Sequence, residues 1–150
     1  MMTTTQIKRK ENAMSHCCLA VIYFEDDTIE IDDILDHHSG YAFDYYQKFE
    51  EYQESEHWYD GLILKKGVEN EHTYNTKNGT FAYKAKIEDV DWRKTFAEGD
   101  ISKFANPAMV VDEYDFFNKK KLEIERTQFN NFVKRMLERG DTVELVDIHE

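Results

Sequence analysis

The chain of 150 residues has only two cysteines, one proline and six glycines. Cys17 and Cys18 are neighbours, so no disulfide framework can be drawn, which fits a reducing compartment. In a strand, adjacent side chains point to opposite faces, so each cysteine reads as a small apolar residue. Long apolar runs are missing too. The longest lies near Cys17 to Phe24, well short of the ~20 residues a membrane helix needs. The stretch MMTTTQIKRKENAMS lacks the apolar centre of a signal peptide. Residues 1–14 read as a flexible N-terminal extension, and the expected location is the cytoplasm. Catalytic and cofactor signatures are also absent: there is no G-x-G-x-x-G, P-loop, G-x-S-x-G or H-E-x-x-H. No cofactor and no metal is expected.

Positive charge is scarce. Nineteen basic residues face 31 acidic ones, giving a net charge of -12. Such a field repels phosphate backbones and anionic lipid, which argues against duplex nucleic acid and membrane partners. Two readings remain. The acidic surface keeps the chain soluble, or it imitates nucleic acid and occupies a basic groove on a partner.

Aromatic and apolar side chains are plentiful. Hydrophobic residues make up 41 % and aromatics 14 % of the chain, too much ring surface for a disordered segment. His16 to Phe24 reads as a central strand. A short helix follows, capped by Asp27 or Thr28, with Ile31, Ile34 and Leu35 as its apolar stripe. The stretch from Tyr41 to Tyr46 reads as extended, and Trp58 to Leu64 as a strand. The polar segment between them is a local helix or a long loop. Asn78-Gly79, between HTYNTK and TFAYKAKI, predicts a hairpin with a type I′ turn. EDVDWRKTFAEG predicts a helix with Asp89 or Asp91 near its start and Gly99 past its end. AMVV after Pro107 predicts a strand. The clearest helix runs from about Leu122 to Arg139, with Phe129, Phe132, Val133, Met136 and Leu137 on one face. TVELVDIH closes the chain as a strand.

This order predicts a single α+β domain over residues 15–150. Its expected architecture is a two-layer sandwich, a mostly antiparallel sheet with two main helices on one face, ferredoxin-like in character.

Three constellations bear on function. His16 abuts Cys17, but strand neighbours point apart, so a Cys–His nucleophile would need a distant histidine. Asp33, Asp36, His37 and His38 crowd the end of the first helix. Asp33 and His37 have metal-chelating spacing, whereas histidines at a helix C-terminus also serve simply as electrostatic caps. The third constellation is aromatic: Phe43, Tyr45, Tyr46, Phe49, Tyr52, Trp58 and Tyr59. Alternation sends such rings to both faces of a strand, so some lie at a surface. Rings with nearby carboxylates suit a flat ligand such as a nucleic acid base, although an ordinary aromatic core explains them as well.

FDYY at Phe43 to Tyr46, HWYDGLILK at His57 to Lys65 and LVDIH at Leu145 to His149 resemble three motifs of a largely uncharacterised family of tailed-bacteriophage proteins. Those motifs are Trp/Phe-Asp-x-Tyr, Gly-Gly-Arg-Trp and a C-terminal Val-Asp-Cys-His. Here Ser55-Glu56-His57 stand where the family has Gly-Gly-Arg, and Ile148 replaces the cysteine. The matching positions are Asp44, Tyr46, Trp58, Asp147 and His149. The resemblance implies an accessory, anti-defence protein acting in the host cytoplasm, of the kind that traps a cyclic or linear oligonucleotide signal without cleaving it. The expected ligand-binding residues are Asp44, Tyr45, Tyr46, Trp58, Lys65, Asp147 and His149. Lys65, Lys66, Lys84 and Lys86 supply the positive charge an anionic ligand needs. Two alternatives stand beside this sponge: an acidic inhibitor or nucleic-acid mimic directed at a basic host nuclease, and a small enzyme using Asp147 and His149 with Asp44. A homodimer is compatible with the aromatic excess.

Overall fold

The computed structural model describes residues 16–26, 30–38, 45–52, 59–105 and 126–149. In chain order its elements are β1 (His16–Tyr23), α1 (Ile31–His38), β2 (Tyr45–Lys48), a 3-10 turn (Phe49–Glu51), β3 (Thr73–Thr76), β4 (Gly79–Ala82), β5 (Lys84–Lys86), a second 3-10 turn (Ile87–Asp89), α2 (Trp92–Glu98), β6 (Ile101–Ala105), α3 (Arg126–Arg139) and β7 (Thr142–His149).

β1 and β7 form the centre. They pair antiparallel from His16 opposite His149 to Tyr23 opposite Thr142. β6 lies parallel along the other edge of β1. The remaining edge of β7 is shared: β5 pairs with Thr142 to Glu144, and β2 with Val146 to His149. The hairpin of β3 and β4 is a separate two-stranded sheet.

β1 and β7 are buried on both faces, which is why HCCLAVIY is apolar at successive positions instead of alternate ones. On one face Cys18, Ala20, Ile22, Val143 and Leu145 meet Trp92 and Phe96 of α2, Phe132 and Met136 of α3, and Tyr74 and Phe81 of the hairpin. On the other, Leu19, Val21, Tyr23, Val146 and Ile148 meet Ile31, Ile34 and Leu35 of α1. The α+β sandwich with a mostly antiparallel sheet is as expected, with α2 and α3 together on one face. α1 adds cover on the opposite face.

Local chemistry fixes the element ends. Asp91 caps α2 by accepting from the Lys94 N–H at 3.1 Å. The hairpin forms, but its turn is displaced from the expected position. Thr76 pairs with Gly79, so Lys77 and Asn78 are the two turn residues. Neither has the positive φ that a type I′ turn requires, and Gly79 takes it instead, at 137°. Side chains explain the displacement: Asn78 Nδ2 and Thr76 Oγ1 both donate to the buried Asp60 carboxylate, at 2.6 and 2.7 Å.

The stretch expected as a strand up to Leu64 is held instead by isolated bridges, Leu62 to Ala82 and Leu64 to Val90. Its groups are committed elsewhere: Ile63 N–H donates to Thr95 Oγ1 and Asp60 N–H to Asp100. A strand is expected between α2 and α3, at AMVV after Pro107; β6 stands in that place in the order but precedes Pro107. AMVV, Trp58, Asp44 and residues 122–125 lie outside the described residues, as does the N-terminal extension.

Candidate ligand-binding site

The site grows from the last strand. Period-two alternation puts Asp147 and His149 on the same face of β7. Their cross-strand neighbours are Cys18 and Gln47 for Asp147, and His16 and Tyr45 for His149. Three rings from three adjacent strands therefore gather at one end of the sheet. The centroids of His16 and His149 are 5.2 Å apart, those of Tyr45 and His149 5.4 Å, and Tyr45 meets His16 edge-on at 6.2 Å. Tyr45 is 47 % exposed, so this cluster reaches the surface.

Behind the rings sits Asp147, only 4 % exposed. Burying a carboxylate is costly unless it is fully hydrogen-bonded. Here three groups donate to it: His16 Nδ1 at 2.9 and 3.0 Å to the two oxygens, the Tyr52 hydroxyl at 2.8 Å and the Tyr59 hydroxyl at 3.3 Å. An ionised carboxylate only accepts, so Nδ1 of His16 carries a proton and donates. Burial and then the Asp147 charge push the Tyr59 hydroxyl well above the usual tyrosine range, so it remains a donor.

The tyrosines are positioned by their own supports. Phe49 stacks on Tyr59 at 5.7 Å and packs on Tyr52 at 5.7 Å. The Tyr59 carbonyl accepts from the Tyr74 hydroxyl at 3.0 Å. Gly61 permits this approach, because a Cβ there would run into the Tyr74 hydroxyl and come within 2.9 Å of the Ala82 carbonyl. The Asp60 carboxylate, bonded to the hairpin turn, clamps the chain between them. Much of WYDG thus serves to hold Tyr59 against Asp147.

Of the expected ligand-binding residues, Tyr45, Asp147 and His149 come together. Tyr46 faces the other way: its hydroxyl donates to Asp32 and Asp36 of α1, at 3.2 and 2.9 Å, and burial pushes its ionisation up. Lys65 lies elsewhere. Its N–H bonds the Asp89 carbonyl, and the adjoining Ile87 N–H bonds the Asp141 carbonyl, at the far end of β7. Asp44 and Trp58 lie outside the described residues. Lys84 and Lys86, expected as anion-binding cations, both contact Glu25 at 3.2 Å. The residues the sequence did not single out for the site are His16, Tyr52 and Tyr59. Their signal was partial: His16 opens the central strand and both tyrosines belong to the aromatic stretch, but only strand register brings them to Asp147.

A second buried carboxylate, Glu144, sits three positions back on β7 and faces α1. Tyr23 donates to Oε1 at 3.1 Å. Oε2 is buried with no hydrogen-bond partner. Burial first and the nearby Glu50 charge second raise its carboxyl to about 6, against the opposing pull of the Tyr23 hydrogen bond, Lys84 and Lys48.

Among the described residues, no group of three or more His, Cys, Asp or Glu is placed to hold a metal ion. None of the described helices is long and apolar enough to cross a membrane. Comparison with protein-family models, curated proteins and solved structures finds no match to this chain.

Proposed function

We propose that this chain is a binding protein that sequesters a small nucleotide signal without cleaving it, with a base held against the Tyr45–His149–His16 ring cluster. The observation that carries this reading is the convergence of three rings from β1, β2 and β7 at a surface-reaching end of the sheet, backed by a buried, triply bonded carboxylate. Base–aromatic stacking contributes ~1–3 kcal/mol per base, so a few rings suffice for a useful affinity. A rigid backing matters as much, because groups already held in place lose little freedom on binding. The motif resemblance supplies the setting: a tailed-bacteriophage accessory protein acting against host defence in the host cytoplasm.

A thermal-shift screen against linear and cyclic di- and trinucleotides tests it, with chromatography of the recovered ligand. The reading expects stabilisation and intact ligand. Absence of stabilisation by every nucleotide would sink it and leave the acidic surface, and a basic protein partner, as the better explanation.

One observation favours a second reading, a small enzyme. A histidine oriented by a buried carboxylate and set beside a second histidine is an arrangement suited to general acid–base chemistry. The pairing differs from that expected, since Asp147 holds His16 and not His149. Recovery of the nucleotide as a cleaved product would establish this reading in place of sequestration.

A further inference from the structure

Glu144 takes no part in the ring cluster, and its surroundings are built unlike those of Asp147. It is 2 % exposed, Tyr23 donates to Oε1, and Oε2 is buried with no hydrogen-bond partner. A carboxyl so placed resists losing its proton, because one neutral donor is a poor substitute for the water that would solvate the charge. A cation stands one strand away. Lys84 is directly opposite Glu144 in the register of β5 against β7, so both side chains leave the same face of the sheet with Cβ atoms about 5 Å apart. The Lys84 ammonium nevertheless pairs with Glu25 Oε1, at 3.2 Å, and Glu25 is exposed. An exposed pair is weakened by water and salt, whereas a charge pair at a buried carboxylate is not.

We propose that Glu144 is a proton-operated latch: while it holds its proton, Lys84 stays with Glu25, and when it ionises, Lys84 turns inward to the Glu144 carboxylate and lets go of Glu25. Among the described residues, the charged and titratable groups around Glu144 are Tyr23 of β1, Lys48 of β2, Glu50 of the first 3-10 turn, Lys84 of β5 and Tyr83 just before it. α1 covers this face with Ile31, Ile34 and Leu35, and its Asp32 bonds Lys48. Lys48 is shared by two carboxylates, Asp32 and Glu50, at 3.1 and 3.3 Å. Lys84 pairs with Glu25 and is the easier of the two lysines to move. Its four-carbon stem lets the ammonium reach either carboxylate without a change in the backbone. The Glu144 proton leaves to water at about pH 6, so the latch holds in mildly acidic solution and opens in neutral solution. The relief is partial, since Lys84 forfeits Glu25 in turning, and the midpoint stays above the ordinary 4.5. Once open, Glu25 keeps Lys86, at 3.2 Å. The tie between residues 24–26 and β5 then falls from two lysines to one.

Carboxyl-detected NMR of the full, carbon-labelled chain between about pH 4 and about pH 8 follows each glutamate by itself. Glu144 is expected to titrate at about 6. The Lys84 and Lys86 hydrogen bonds hold the Glu25 carboxyl below the usual carboxylate range, so by itself Glu25 has finished titrating before that point. Its resonance is nevertheless expected to move a second time, with the Glu144 midpoint, as Lys84 leaves it. Lys84→Met raises the Glu144 midpoint and abolishes the second Glu25 step. Glu25→Gln lowers the Glu144 midpoint, by at least roughly threefold in proton affinity, because Lys84 then serves Glu144 without a rival. That lowering disappears when Lys84→Met is also present, which makes the pair of changes a double-mutant cycle. A Glu25 resonance that stays flat through the Glu144 midpoint in the unaltered chain overturns the latch. So does a Glu25→Gln effect that survives Lys84→Met, since plain repulsion between two fixed charges would then account for it.

Discussion

Asp147 and Glu144 are both buried carboxylates, three residues apart on one central strand, yet they have opposite fates. Asp147 faces the α2 and α3 side and accepts from His16, Tyr52 and Tyr59. Glu144 faces the α1 side, accepts from Tyr23 alone and keeps Oε2 without a partner. A satisfied buried charge organises its surroundings, fixing three side chains from three segments. A half-satisfied one is a standing cost, visible as a carboxyl raised to about 6. The two sides of β7 therefore differ in what removal of a charge should do.

Removing Asp147 should have the largest effect. Asp147→Ala takes the shared acceptor from three half-buried donors, and breaking such a constellation costs about 3 kcal/mol. For a chain of this length that lowers Tm by roughly 6–12 °C. A variant that melts with the parent would show that the three bonds do not hold this end of the sheet. Asp60→Ala should cost somewhat less, about 2 kcal/mol, because it frees only the hairpin turn bonded through Thr76 and Asn78. Amide hydrogen exchange should quicken in β3 and β4 and leave β1 unchanged.

Glu144→Gln should act in the opposite direction. The folded value of about 6 lies above the ordinary 4.5, so the folded state holds this proton more tightly than the unfolded one. Its contribution to folding is fully present below pH 4.5 and is lost as pH rises through 6. A shift of that size corresponds to up to about 2 kcal/mol. The glutamine variant should then be more stable than the parent near pH 7.5, and the gap should close near pH 4.5. A destabilised variant at both pH values would mean that the charge at Glu144 is supported after all. Smallest on stability is Tyr45→Ala, within about 0.5 kcal/mol because the ring is exposed. Its effect belongs to binding, and a large fall in Tm would recast Tyr45 as a structural residue.

Much of this architecture was legible from local pattern. The unbroken apolar run of β1 announced a central strand, the Ile31, Ile34, Leu35 stripe announced α1, and the Phe132, Met136 periodicity announced α3. Asp91 signalled the start of α2. What was not legible depended on contacts distant in sequence. The turn of the hairpin moved by one residue because Asp60, some eighteen positions away, takes the Asn78 side chain. β6 carries an unremarkable sequence, and parallel pairing with β1 makes it a strand. At the site, alternation alone put Asp147 and His149 on one face. That His16 completes the pair follows from the register of β1 against β7, over a separation of 131 residues. Tyr45 and Tyr46 looked equivalent in sequence, and pairing of β2 with β7 sends one to the rings and the other to Asp32 and Asp36.

The most direct test of the central claim is an amide and side-chain NMR titration of the labelled chain with the nucleotide that gives the largest thermal shift. Resonances of His16, Tyr45, His149 and the His149 end of β7 should move together, while those around Glu144, Lys84 and Glu25 stay in place. Movement confined to the Glu144 and Lys84 region, or no movement anywhere, would contradict a ligand site at the ring cluster.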